Sequence, residues 1–343
     1  IKKLVDESDS VMLHGYTSAQ GDPKVRKAVS DYINTTFGTN ISPDCIYMTV
    51  GAAASLAISI RALACDGDEF IAFAPFFPEY RVFVEAAGCK LVAVKPEDVT
   101  FQIDFDCFEK SITERTKGVI VNSPNNPSGV VLSKATIEKL CGILKEREAR
   151  YGHPIYLIAD EPYRELVYDD IEVPYLMNYY DNTIVGYSFS KSLSLPGERI
   201  GYIAVSNRMK DMEDVYAAIC GAGRALGYVC APSLFQRVAA ACLGKTADIS
   251  AYRENRDLLY DGLESFGFDC VHPDGAFYLF VKSPIDDAGE FCERAKKYEL
   301  LLVPGDSFGC PGYVRIAYCV TKKMIEDSLP AFGKLAEEFG LKK

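Results

Sequence analysis

Seven short apolar runs, separated by longer stretches of helical periodicity, constrain the fold more than any other feature of this sequence. The runs lack strict polar alternation and are bounded by Gly, Pro, Asn or Asp, as is typical of strands buried on both faces of a sheet. The predicted strands are residues 45–49, 70–74, 91–94, 118–122, 155–159, 183–187 and 201–205, and the predicted helices between them are 52–64, 79–87, 133–150 and 209–221. Because strands and helices alternate, the sequence predicts an α/β fold with a mostly parallel sheet flanked by helices.

The pattern changes after residue 232, where a long helical stretch runs to about residue 265. A strand at 276–281, a helix at 288–298, a strand at 313–317 and a last helix at 322–339 follow, which is typical of a smaller α+β domain. A chain of 343 residues is also too long for one simple core. We therefore expect a large domain at 15–245, a small domain at 246–343, and a shortened N-terminal arm at 1–14 that belongs to the small domain.

The composition argues against several kinds of partner. A net charge of −11 disfavours nucleic acid and anionic membrane surfaces. We see no apolar run of about 18 residues, so we expect no membrane-spanning helix. The 12 cysteines contain no Cys-x-x-Cys pair and fit reduced thiols in a cytoplasmic protein. The 3 histidines are far apart, and no metal site is predicted.

Residues able to carry chemistry follow the predicted strands. In open parallel sheets, ligands bind at the carboxyl ends of the strands. These ends offer the amides of a helix N-terminus at Ala52–Ala53, the side chain of Asn126, the carboxylate of Asp160, and the Ser188–Lys191 segment. Together they predict a site for an anionic, nitrogen-containing ligand that carries an aldehyde.

The same segments resemble the class I/II aminotransferases, the aspartate-aminotransferase-like enzymes of fold type I that use pyridoxal phosphate. Each motif alone has little specificity, but their order, with Lys191 eight residues before Arg199, makes the combination specific. The motifs are residues 16–21, Asn-Pro-Ser-Gly at 126–129, Asp-Glu-Pro-Tyr at 160–163, Ser-Phe-Ser-Lys at 188–191, Glu-Arg-Ile-Gly at 198–201, Gly-Ala-Phe-Tyr at 275–278, Pro-Gly at 304–305, and Arg315.

The resemblance implies pyridoxal 5'-phosphate as cofactor and gives five residues a role in its chemistry. Lys191 would hold it as a Schiff base and carry the proton at the substrate α-carbon. Asp160 would pair with the pyridine nitrogen, and Tyr163 and Asn126 would donate to the phenolic oxygen. Arg315 would bind the substrate α-carboxylate beside Asn126, because a planar guanidinium suits a carboxylate.

The resemblance also implies how the cofactor phosphate would be held. Arg199, the amides of Ala52 and Ala53 and the hydroxyl of Ser188 would bind it. Tyr16 would reach it from a neighbouring subunit. Many relatives carry a Gly-Ser/Thr pair where this chain has alanines, so we expect one hydroxyl contact to be absent.

Several of these residues have an ordinary structural explanation as well. Asp160 is a good helix N-cap after a strand, and the Asn126 segment is typical of a turn. Phe77 resembles the aromatic residue that stacks on the cofactor ring, yet it fits a core position equally well. Residues Ala52 and Ala53 are simply good helix formers.

The implied activity is transfer of an amino group between an L-amino acid and a 2-oxo acid by a ping-pong mechanism, with aspartate and glutamate as candidate substrates. A carbon–sulfur lyase or another eliminating enzyme on the same fold is the alternative. A non-catalytic regulator that binds pyridoxal phosphate is disfavoured, because Asp160 and Lys191 are both present and the net charge of the chain is negative.

Arg224 is either a partner for a distal substrate carboxylate or a surface or interface residue. The resemblance also implies a homodimer with shared active sites.

Overall fold

The computed structural model describes residues 1–341. Its main feature is a seven-stranded sheet with the order β1-β7-β6-β5-β4-β2-β3. The strands are β1 (Ile46–Thr49), β2 (Glu69–Phe73), β3 (Lys90–Val94), β4 (Thr116–Asn122), β5 (Tyr156–Asp160), β6 (Thr183–Ser188) and β7 (Gly201–Val205). Only β7 is antiparallel to its neighbours β1 and β6, and the other pairs are parallel. The predicted α/β fold with a mostly parallel sheet is confirmed.

Helices cover both faces of this sheet, which explains why its strands are almost continuously apolar. Along β4, Val119 and Val121 pack into one buried cluster with the helices at residues 23–37 and 134–151, whereas Ile120 packs into a second cluster with the helices at 52–63, 79–86 and 212–225. The helices up to this point of the chain are α1 (Lys2–Glu7), α2 (Ser10–His14), α3 (Pro23–Phe37), α4 (Ala52–Leu63), α5 (Glu79–Ala86), α6 (Phe105–Ser111), α7 (Lys134–Tyr151), α8 (Phe189–Ser192), α9 (Met212–Ala225) and α10 (Ser233–Ala241). None of the helices within residues 1–341 is long and apolar enough to cross a bilayer.

A second, antiparallel sheet has the order β10-β11-β9-β8. Its strands are β8 (Cys270–Val271), β9 (Tyr278–Lys282), β10 (Val303–Pro304) and β11 (Tyr313–Ala317), and the helices packed with them are α11 (Ile249–Ser265), α12 (Ala288–Ala295) and α13 (Lys322–Glu338). These elements share a buried cluster that includes Leu259, Val281, Phe291 and Leu335. The domain boundary at residue 245 stays a prediction, and residues 342–343 of the predicted small domain lie outside the described part of the chain.

The single long helix predicted from 232 to 265 is wrong. Helix α10 ends at Ala241 and α11 begins at Ile249. The chain turns at Gly244, whose φ of 74° favours glycine, and Asp248 caps α11 by accepting from Ser250 N. Apolar periodicity resumes after the turn, so the hydrophobic pattern alone did not reveal the break.

The N-terminal arm is held by α10. Leu13 is buried, and its carbonyl oxygen accepts hydrogen bonds from the hydroxyl of Ser233 at 2.6 Å and from Nη1 of Arg237 at 3.3 Å. Helix α10 lies within the range 15–245 predicted for the large domain. These hydrogen bonds of Leu13 are therefore with the part of the chain that was predicted as the large domain.

Candidate active site

A cavity of about 240 Å³ opens at the carboxyl ends of β4, β5 and β6. Parallel strands bring the residues that follow them to the same edge of a sheet, so the position agrees with the rule used for the sequence. Of the predicted site residues, those that line the cavity are Ala52, Ala53, Phe77, Asn126, Asp160, Tyr163, Ser188, Lys191, Arg199 and Arg315. Tyr16 and Arg224 do not line it.

Asp160, at the end of β5, is the buried acid of the site. Its Oδ2 accepts a hydrogen bond of 2.6 Å from the hydroxyl of Tyr80, and its Oδ1 has no hydrogen-bond partner among the described residues. Burial raises the pKa of Asp160 to about 7, although the bond from Tyr80 opposes the rise, and the neighbouring Glu161 adds to it. Glu161 is itself paired with Arg164 at 2.5 Å.

Asn122 fixes the loop that follows β4. Its Nδ2 donates to the carbonyl oxygen of Asp160 at 2.9 Å, and its Oδ1 accepts from the backbone N–H of Asn126 at 2.7 Å. These two bonds tie the Asn126 loop to the end of β5. Asn122 also lines the cavity, and the sequence analysis gave it no role.

Lys191 lies in the short helix α8, which Ser188 caps by accepting from Ser190 N. The Nζ of Lys191 lies 5.1 Å from the centroid of the Phe277 ring. Burial lowers the pKa of Lys191, and the positive charges of Arg199 and Arg315 act in the same direction, while Cys319 opposes them. A lowered pKa increases the fraction of neutral amine, which is the nucleophilic form.

Arg199 and the start of α4 form a cationic, amide-rich corner of the cavity. Nη1 of Arg199 donates to the hydroxyl of Ser190 at 3.1 Å and to the carbonyl of Pro196 at 3.0 Å. Helix α4 has no side-chain cap, and Gly51 precedes it with a φ of 94°. A Cβ on Gly51 would lie 2.6 Å from Nη2 of Arg199, so glycine is needed for this close approach. The corner suits an anion.

Arg315 projects from β11 between two aromatic rings. Its guanidinium carbon lies 4.6 Å from the ring centroid of Tyr278 and 4.9 Å from that of Phe308. Its Nη1 donates to Oδ1 of Asn126 at 3.1 Å, and its Nε has no partner among the described residues. These contacts hold the planar group in place while leaving donors available for a carboxylate.

Tyr163 and Phe77 complete the wall of the cavity. The hydroxyl of Tyr163 lies 3.2 Å from that of Tyr278. Burial raises the pKa of Tyr163 well above its ordinary value, and the neighbouring Tyr278 adds to the rise. Phe77 lies next to Tyr80, with ring centroids 5.8 Å apart and ring planes at 79°. Tyr80 was not predicted as a site residue. It follows Phe77 by three residues, a spacing that brings two side chains together at the start of a helix, and this spacing can be read from the sequence.

Tyr16 and Arg224 lie outside the cavity. Tyr16 is fully exposed and borders a separate surface cleft that includes Cys230 and Ser233. Arg224 is an exposed residue in the last turn of α9. Within this chain, neither side chain reaches the residues around Lys191.

The charges of the cavity are not balanced by ion pairs. Lys191, Arg199 and Arg315 make no salt bridge with any carboxylate in residues 1–341. Within residues 1–341, no group of three or more His, Cys, Asp or Glu side chains is placed to hold a metal ion. The cavity therefore offers three cations and one buried carboxylate to a ligand that is mostly anionic and carries one basic group.

Comparison with known proteins shows which family the chain resembles. The sequence profile of the family described as aminotransferase class I and II matches residues 1–332. A crystal structure of an aminotransferase from Eubacterium rectale is 58% identical, with a TM-score of 0.97, and the match covers 98% of this chain and 85% of that chain. A protein named "Probable aspartate aminotransferase" from Methanocaldococcus jannaschii is 31% identical over 346 residues, covering 98% of this chain and 88% of that protein. The aspartate/prephenate aminotransferase of Thermus thermophilus is 30% identical over 326 residues, covering 93% of this chain and 83% of that protein.

The fold is that of an aminotransferase. The chain belongs to the family of class I and II aminotransferases, as its motifs predicted. Its activity is the transfer of an amino group between small molecules, and the prediction of a transaminase is confirmed. The similar proteins are named as aminotransferases, so the lyase and the regulator are not favoured.

Proposed function

We propose that this aminotransferase uses pyridoxal phosphate and that the cavity at Lys191 is its binding site. When bound, the cofactor supplies an aldehyde that takes up the amino group and a protonated ring that accepts the electrons of the α-carbon. Arg199, Ser188 and the amides of Ala52 and Ala53 would hold the phosphate. Lys191 would hold the aldehyde carbon through its amine.

The residues present fit this cofactor. Oδ1 of Asp160 is buried without a hydrogen-bond partner in the described chain, which is costly unless a ligand supplies a donor. A protonated pyridine nitrogen is such a donor. At the other side of the cavity, glycine at position 51 lets the guanidinium of Arg199 approach the start of α4, which has no side-chain cap, and this corner suits a phosphate. The orphaned carboxylate oxygen is the single observation that best supports the proposal.

The chain's own residues would carry out the proton transfer. Lys191, with its lowered pKa, would remove the proton from the α-carbon and return it at the neighbouring carbon. Tyr163 and Asn126 would donate hydrogen bonds to the phenolic oxygen, and Phe77 would stack on the ring. Asp160 would keep the ring nitrogen charged. An amino acid would enter first and leave as a 2-oxo acid, and a second 2-oxo acid would then react in the same cavity.

Substrate recognition would begin at the α-carboxylate. Arg315 is positioned by Tyr278, Phe308 and Asn126, and it has free donors for a carboxylate. We propose glutamate and 2-oxoglutarate as one donor and acceptor pair, with aspartate as a candidate second substrate. Arg224 lies outside the cavity of its own chain, so a contact with a distal carboxylate would need a second subunit. We therefore favour a surface or interface role for Arg224.

We also propose a homodimer in which Tyr16 completes the site of the partner subunit. Tyr16 is fully exposed, and the neighbouring Val11 and Met12 are 80% and 62% exposed. Val229, at 47% exposure, lies next to Cys230, whose Sγ donates to the carbonyl of Thr17 at 3.4 Å. An exposed apolar patch of this kind favours self-association.

We propose a cytoplasmic location because the cysteine thiols form no disulfide bonds. All 12 cysteines are free, and two of them, Cys65 and Cys319, are exposed. Free exposed thiols persist in reducing compartments.

The proposal is tested with purified full-length protein and added pyridoxal phosphate. We expect a visible absorbance band, covalent labelling of Lys191 after borohydride reduction, and loss of the band when glutamate is added. A panel of amino acids scored by loss of the band would then rank the substrates. Labelling at another lysine, or no band at all, would contradict the proposal. Continuous release of ammonia and pyruvate from a cysteine conjugate would instead support a lyase.

A further inference from the structure

We propose that Tyr80 is a positioning residue that holds the Asp160 carboxylate for the ring nitrogen of the cofactor. The inference rests on the proposed function, since it concerns how the chain prepares one contact with pyridoxal phosphate. Tyr80 itself does not line the cavity and would act only through Asp160.

The geometry of this pair is specific. Tyr80 is 1% exposed and Asp160 is 4% exposed, and the hydroxyl donates to Oδ2 at 2.6 Å. Among the described residues, Tyr80 is the only side chain that donates a hydrogen bond to this carboxylate. A carboxylate fixed through one oxygen presents its other oxygen in a defined direction, and Oδ1 is the atom left without a partner.

Tyr80 is itself fixed by the start of α5. Its backbone N–H donates to the carbonyl of Phe77 at 3.0 Å, and its ring contacts those of Phe76 and Phe77. The N–H of Phe76 in turn donates to the carbonyl of Phe308 at 2.9 Å, and Phe308 packs against Arg315. One short segment therefore supports both the proposed stacking residue and the proposed partner of the ring nitrogen.

Electrostatics explain why the carboxylate needs this donor. Asp160 is buried, so its charged form is disfavoured by desolvation. The titratable groups that face the pair are Glu161, Tyr163 and Glu79, and Glu161 is already paired with Arg164. Hydrogen bonding to the charged form opposes this rise in the pKa of Asp160, and Tyr80 supplies that hydrogen bond.

Two ligands separate positioning from general packing. Pyridoxal phosphate and the analogue in which a C–H group replaces the ring nitrogen have the same shape, but only the first can pair with Asp160. We expect Tyr80→Phe to reduce the preference for pyridoxal phosphate over the analogue about tenfold, the effect of losing one hydrogen bond to a charged group. Because both ligands bind the same folded population, the ratio does not depend on how much of a variant folds.

Tyr180→Phe is the matched control. Tyr180 is equally buried, and its hydroxyl donates at 2.8 Å to the carbonyl of Ile155, the residue that precedes β5 at the end opposite Asp160. We expect this variant to keep the wild-type preference. An unchanged preference in Tyr80→Phe, or an equal loss in both variants, would overturn the role of Tyr80. If the wild-type chain bound pyridoxal phosphate without reacting at Lys191, the proposed function would fail instead.

Discussion

Replacing Asp160 by asparagine should stabilise the cofactor-free fold at high pH while it removes the activity. A carboxylate that is buried with only one hydrogen-bond donor costs free energy when it is charged. Asparagine keeps the size of the side chain and an oxygen that can accept from Tyr80, but it carries no charge. The substitution should therefore raise the free energy of unfolding of the cofactor-free protein at high pH, while it removes the carboxylate that the reaction needs.

The size of the effect follows from the pKa of Asp160, which burial raises from 3.8 to about 7. The folded chain keeps this proton over the pH range in which the unfolded chain has lost it, so the stability of the wild type falls as pH rises from about 4 to about 7. The raised pKa costs the native state roughly 4 kcal/mol at about pH 9, where the buried group is charged, and roughly 1.5 kcal/mol at about pH 5, where the folded chain still holds the proton that the unfolded chain has lost. The asparagine variant lacks this dependence. Its advantage over the wild type should therefore grow by roughly 2 to 3 kcal/mol between these two pH values.

The assay is urea unfolding of both proteins, freed of cofactor and checked by absorbance, at about pH 5 and about pH 9. Asp261→Asn, which removes an exposed carboxylate from α11, controls for the loss of one negative charge from an acidic protein. If the difference between the Asp160 variant and the wild type were the same at both pH values, the argument from burial would be refuted. A variant less stable than the wild type at high pH would refute it more strongly.

Three further substitutions test the other parts of the site. Lys191→Ala should abolish turnover and borohydride labelling but leave pyridoxal phosphate bound noncovalently, measured by equilibrium dialysis; retained turnover would contradict the assignment. Arg315→Lys should lower kcat/KM for amino acids by about 10- to 100-fold, because a lysine cannot bind a carboxylate with two parallel hydrogen bonds, and unchanged steady-state kinetics would count against the clamp. Tyr16→Phe should weaken binding of pyridoxal phosphate by about tenfold only if a second subunit uses the hydroxyl, and sedimentation analysis of the same sample would show whether the dimer is present.

Much of the fold could be predicted from the sequence, because strands that are buried on both faces of a sheet are almost continuously apolar. The seven predicted strands correspond to β1–β7 within about two residues at each end. The sequence did not predict that β7 is antiparallel to its neighbours, because an apolar run such as residues 201–205 has the same composition in either direction. Helix α3 was missed even though Asp22 caps it, Pro23 begins it and Gly38 ends it in the left-handed region. These end signals, together with the helical spacing of Val25, Val29 and Ile33, would predict the helix.

The site was predictable wherever one strand end supplies one residue. Asp160 and Lys191 come directly after buried strands, so the topology of a parallel sheet brings them to one edge. The bond between Tyr80 and Asp160 joins residues 80 apart in the sequence, and it depends on how α5 packs against the sheet. No pattern in the sequence specifies that packing. A role for Tyr16 needs a second chain, which one sequence cannot supply.

The two central groups of the site have pKa values shifted in opposite directions by the same cause. Burial raises the pKa of Asp160 and lowers that of Lys191, so in each case the charged form is the one that becomes costly. A ligand that brings a cationic ring nitrogen to Asp160 would offset the cost of the charged carboxylate and so gain binding free energy. The proposed cofactor should therefore stabilise the native state through these charges as well as by mass action. It also follows that the burial that makes Lys191 a good nucleophile makes the cofactor-free fold less stable at neutral pH.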